Sequence, residues 1–88
     1  HLKNTDSDTN YFTDADLSVI GQSIGQYTDY YNAVRKEYSI YPNLIYNPGR
    51  KKVLKHFLEM GRIYKTDYFH AKYERQAKIN LQTEFDLL

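Results

Sequence analysis

The sequence predicts an all-α fold, a small three-helix domain with a long first helix and a helix-turn-helix-like second and third helix. Three observations carry this prediction. Apolar residues recur at alternating spacings of three and four from Leu17 to Tyr38, and every fourth residue from Phe69 to Phe85, which is the period of a helix and not of a strand. Residues that start and stop helices punctuate these runs: Thr13, Asn47 and Thr66 as caps, Gly61 as a terminator. No strand-length alternation, internal repeat or low-complexity segment interrupts them.

The first helix is predicted to begin at Thr13. This residue reads as an N-cap, with Asp14 and Asp16 in the first turn where negative charge suits the helix dipole. Phe12 before the cap and Leu17 after it have the spacing of a hydrophobic staple. The series Leu17, Ile20, Ile24, Tyr27, Tyr31, Val34, Tyr38 then keeps heptad spacing without a miss. Gly21 and Gly25 lie beside that seam, four residues apart, a spacing that lets another helix approach closely. The helix must end near Ile40, because Tyr41 precedes Pro42 and is pushed toward an extended conformation.

Leu44, Ile45 and Tyr46 are too apolar to be left in water, so the connecting loop is expected to fold back over the core. A second helix is expected from Asn47 as N-cap and Pro48 as first helical residue, carrying the stripe Val53, Leu54, Phe57, Leu58, Met60. From Gly61 to Thr66 there are two readings. The helix either breaks, with Gly61 closing it and Thr66 capping a third helix, or runs on, since Phe57, Met60, Tyr64, Tyr68 and Ala71 also keep helical spacing. The break is the better supported, because each of its boundary residues has a mechanism. The last helix carries Phe69, Tyr73, Ala77, Leu81 and Phe85.

Eighty-eight residues make one small domain, assigned to 11–88, behind a polar stretch at 1–10 that reads as a leader or a tag or linker remnant. Without cysteine there is neither a disulfide framework nor a thiolate metal site, and a cytoplasmic or otherwise intracellular setting is the weak expectation. No apolar run approaches the roughly 18–20 residues that cross a bilayer, so no membrane partner is expected. Ten tyrosines and four phenylalanines with no tryptophan provide apolar bodies with polar tips, suited to a core or to a binding surface.

The net charge of +1 conceals a sorting by position. Residues 50–78 hold nine basic and three acidic side chains, whereas residues 1–49 hold three basic and six acidic ones. A basic segment of this kind can hold an anionic partner. Arg50, Lys51, Lys52 and Lys55 would sit in the first turns of a helix starting at Asn47, at the positive end of its dipole, where cations are unfavourable for stability and a phosphate is welcome. Lys72, Arg75, Gln76 and Lys78 on the last helix are residue types that grip phosphates or read base edges. The leading expectation is therefore a nucleic-acid-binding helical module, DNA in the first instance, with a regulatory or replication-type role. The alternative is a protein-protein interaction or oligomerisation module, dimerising through Ile20, Gly21, Ile24, Gly25, Tyr27 and Tyr31.

Asp67, His70 and Glu74 share a helix face and could in principle ligate a metal, but they lack further converging ligands, and no metal or cofactor is expected. The chain has no cysteine nucleophile, Gly-x-Ser-x-Gly turn, phosphate-binding glycine loop or His-Glu-x-x-His pair, and neither enzyme activity nor a small-molecule substrate is expected.

Overall fold

The computed structural model describes residues 14–88. The expected cap at Thr13 and the leader at 1–10 lie outside the described residues. The fold is all-α. Helical residues 14–17 run into a 3-10 turn at Ser18–Gly21, followed by α1 (Ile24–Glu37), α2 (Asn43–Glu59) and α3 (Asp67–Leu87). The helix α3 is the spine of the molecule, with the N-terminal turn and α2 packed along it. Ile20, Tyr27, Leu54, Ile63, Tyr64, Phe69, Ala77 and Leu81 form the buried core.

The single long first helix does not form. The chain breaks between Gly21 and Ser23, and α1 starts afresh at Ile24 with Ser23 as its cap, the Ser23 hydroxyl accepting from Gln26 N. Two contacts with α3 account for the break. A Cβ on Gly21 would stand 2.6 Å from Tyr73 Cβ, so only glycine lets α3 come this close. The buried Asn80 side chain donates to the carbonyls of Ile20 at 2.8 Å and Gln22 at 2.7 Å. Carbonyls at the break thus find a partner inside the protein, which removes the main cost of ending a helix there. Of the two glycines expected to admit a neighbouring helix, Gly21 does so within the chain, while Gly25 has no atom near its Cβ position.

The second helix starts earlier than expected, at Asn43 rather than after Asn47. Pro42 is the N-cap and Pro48 lies inside the helix. The amides of Ile45 and Tyr46 both donate to the Pro42 carbonyl at 2.9 Å, so the first turn closes without a side-chain cap. Leu44 and Ile45, expected to cover the core, instead remain exposed on that first turn.

The break between the last two helices is present at 60–66, with Thr66 capping α3 by accepting from Phe69 N. Ile63 and Tyr64 from this segment are fully buried. Their placement depends on two carboxylates. Glu74 accepts from the amides of Ile63 and Tyr64 at 2.8–3.0 Å, and Asp14 accepts from the amides of Lys65 and Thr66 and from the Thr66 hydroxyl at 2.7–2.8 Å. The Tyr64 hydroxyl donates to the Leu17 carbonyl at 2.7 Å. Burial by itself raises the pKa of each carboxylate, but the backbone donors, joined by the Thr66 hydroxyl at Asp14 and by His70 at Glu74, outweigh it and hold both below their usual values.

Candidate interaction surface

The basic segment divides into structural and solvent-facing groups. Arg50 is structural. Its Nε and Nη2 donate to the Glu84 carboxylate at 2.7 and 3.0 Å, in a pair closed off from water. The same carboxylate accepts the hydroxyl of fully buried Tyr27. Burial first, then that carboxylate, push the Tyr27 phenol well above its ordinary pKa, so it remains a donor. Lys78 Nζ donates to the carbonyls of Met60 at 2.6 Å and Leu58 at 3.5 Å, closing the C-terminal end of α2. Gln76 donates to Asn80 Oδ1 at 2.9 Å and so orients the amide that serves the Gly21 break.

Of the other expected phosphate contacts, Lys52, Lys55, Lys72 and Arg75 face outward and Lys51 is half-buried. Lys51 stands over the Phe85 ring at 5.5 Å, Lys55 makes an exposed pair with Glu59 at 3.9 Å, and Lys72 lies between the Tyr68 and Tyr73 rings. Lys52 and Arg75 are exposed. Because α2 begins at Asn43, Arg50 lies about 10 Å along its axis from the free N-terminal amides. The expected phosphate seat, with basic side chains around a helix start, is therefore not assembled.

The expected dimer seam divides in the same way. Ile20, Gly21 and Tyr27 are buried in the chain's own core, and Tyr31 packs edge-on against Tyr27. Ile24 and Gly25 remain exposed. Within the heptad series, Ile20 and Tyr27 are buried in the core and Leu17 and Tyr31 pack against it, while Ile24 and Tyr38 stay exposed.

Ile24, Tyr68, Ile79 and Leu87 are exposed at other places, but most of the exposed large apolar side chains among the described residues lie at the corner between α1 and α2. Tyr38 and Tyr41 are each 49% exposed, Ile40 83%, Leu44 87%, Ile45 59% and, further along α2, Val53 46%. The corner is held by polar contacts rather than by its apolar side chains. Arg35 donates to the carbonyls of Tyr38 at 3.1 Å and Tyr41 at 2.9 Å and twice to Asn43 Oδ1, and its guanidinium lies 4.4 Å over the Tyr46 ring. One arginine thereby ties the end of α1, the turn and the start of α2 together. Behind the corner, the helices are separated by a groove of about 630 Å³ whose walls include Tyr30, Val34, Tyr38, Ile45 and Val53. The Tyr46 hydroxyl in this wall is buried without a hydrogen-bond partner.

Arg35 and the corner were not singled out by sequence reasoning. The available signals were an arginine in the last turn of a helix, where it can reach terminal carbonyls, and five large apolar residues between 38 and 45.

Asp67, His70 and Glu74 are engaged separately: Asp67 with Arg62 at 2.7 Å, and Glu74 with backbone amides and with His70 Nδ1 at 3.3 Å. No group of three or more metal-ligating side chains converges among the described residues, nor is any of their helices long and apolar enough to cross a membrane. Compared with known proteins, the chain matches no family model, no curated protein and no solved structure at a significant level.

Proposed function

We propose that this domain is a protein-interaction module that docks its partner on the α1–α2 corner. The observation that carries this reading is an exposed apolar surface on a rigid frame. Six large side chains there expose roughly 550–750 Å² if each offers about 150–200 Å² when fully open, at or above the upper end of the roughly 300–600 Å² of the largest patch on a typical monomer. The Arg35 clamp preforms this corner, which therefore loses less conformational entropy on docking.

The test is selection of displayed random peptides on the 88-residue chain, followed by binding to Ile40→Asp/Leu44→Asp. Both side chains point into water, so the melting temperature should stay within a few degrees of the parent. Selected peptides should be rich in aromatic and aliphatic residues and bind the double variant at least about tenfold more weakly, as expected for central anchors. Peptides indifferent to the two substitutions would place docking elsewhere.

A second reading, nucleic-acid binding in a helix-turn-helix-like arrangement, is favoured by the outward-facing Lys52, Lys55, Lys72 and Arg75. Arg50, Gln76 and Lys78 do not belong to it, since each has an internal role. Fluorescence anisotropy with a labelled random duplex and a single strand at about 50 and 200 mM salt should then show affinity falling steeply with salt. Lys52→Ala and Arg75→Ala should each lower that slope by about one. Binding absent at low salt removes the reading.

A further inference from the structure

We infer that the occupant of the α1–α2 corner is a second copy of this chain, docked about a two-fold axis. The inference rests on the corner being a docking surface, and three features of that surface select its partner.

The surface carries both a protrusion and a recess. Ile40 stands out from the turn, and next to it in the chain Tyr41 lines the groove together with Tyr38 and Val53. A two-fold axis places each copy's protrusion against the other copy's recess, the self-complementarity that an isologous interface requires. The area also matches. The apolar corner alone approaches the roughly 800 Å² that each partner contributes to a standard-size interface, and its polar rim supplies more.

The rim of the groove carries charges of both signs. Glu37 lines the groove from α1, while exposed Lys52 adjoins Val53, a groove residue of α2. A second copy brings the same two charges, so a two-fold pair can set Glu37 of each copy against Lys52 of the other. Among the described residues neither is taken by a short ion pair: the pairs of the surrounding helices are Arg50–Glu84 and Lys55–Glu59. Opposite charges at a rim set register and orientation more than affinity.

Sedimentation equilibrium of the 88-residue chain between about 5 and 200 μM tests this, since an interface of this size without a large central cluster corresponds to a micromolar dissociation constant. A monomer–dimer equilibrium is expected. Ile40→Asp should raise the dissociation constant at least about tenfold. Glu37→Lys should weaken the dimer, and Glu37→Lys/Lys52→Glu should restore it, which separates a specific contact from general loss of solubility. Two results overturn the inference: a monomer throughout the range, or a dimer indifferent to Ile40→Asp. A monomer whose selected peptides still require Ile40 and Leu44 removes only the second copy as partner and leaves the docking surface standing. A monomer that also fails to select such peptides removes both.

Discussion

Replacing Glu84 by alanine should remove a large share of the domain's stability. Its carboxylate is 2% exposed and is the common acceptor for Arg50 and Tyr27, thus joining α3 to both other helices. Removal leaves the Arg50 guanidinium, only 12% exposed, without a counter-charge, and a fully buried phenol without an acceptor. Breaking one side of a buried ion pair costs about 3–5 kcal/mol. A domain of this length has about 4–13 kcal/mol in total. Urea titration followed by circular dichroism should show the midpoint falling by about a quarter or more, with the slope unchanged if unfolding stays two-state. Glu84→Gln, which keeps the shape and loses the charge, should fall between.

The triple variant Tyr27→Phe/Arg50→Met/Glu84→Leu should be more stable than Glu84→Ala. With all three polar groups gone, nothing is left buried without a partner. Two results would contradict this account: a Glu84→Ala chain within about 1 kcal/mol of the parent, or a triple variant as unstable as the single one.

Acid should destabilise the domain through Asp14 and Glu74. Both carboxylates have pKa values held below the ordinary 3.8 and 4.5. The unfolded chain therefore binds protons more readily than the folded one as pH falls. Their contribution is complete above these ordinary values and is lost as pH drops through the lower, folded values. The melting temperature should accordingly be flat with respect to these two groups near neutrality and fall steeply below about pH 4.5.

At neutral pH, Glu74→Gln should cost about 1–3 kcal/mol, since an amide oxygen accepts from the Ile63 and Tyr64 amides more weakly than a carboxylate. For a chain of this size that corresponds to roughly 4–8 °C in melting temperature per kcal/mol. The variant should also show a shallower acid limb, because the group whose protonation drives it is gone. Asp14→Asn should act in the same direction through the Lys65 and Thr66 amides. An acid limb of unchanged slope in Asp14→Asn/Glu74→Gln would show that other carboxylates govern acid unfolding.

Helical class, the break at Gly61–Thr66 and most of the core were legible because each is encoded locally. Periodicity marks a buried face, and Thr66 with Asp67 marks a start. The break at Gly21–Ser23 had a local signal as well. Ser23 and Gln26 have the serine and glutamine spacing of a capping box, but the unbroken heptad series crossing it argued for continuity. Asn80, sixty residues away, decides between the two by hydrogen-bonding the carbonyls at the break. Pro48 misled for a related reason. A proline at a first helical position is the common arrangement, and the earlier start at Asn43 becomes visible only once the Pro42 carbonyl is seen to close the first turn.

By itself the sequence determined the all-α class, the starting residues of the last helix and the identity of most core aromatics, because these follow from side-chain period and from caps within a few residues. Only the tertiary structure decided which charges are structural and which are free. Glu74 reads as one of three candidate metal ligands and Arg50 and Lys78 as members of a binding patch, until the helices come together and set Arg50 against Glu84, Glu74 against loop amides and Lys78 against the end of α2. The physical reason is that a charge's role depends on desolvation and on partners distant in the chain, neither of which periodicity records. The apolar corner is the converse case. Its residues look like core in sequence, and they remain in water because Arg35 fixes the α1–α2 turn through its backbone and leaves their side chains outside.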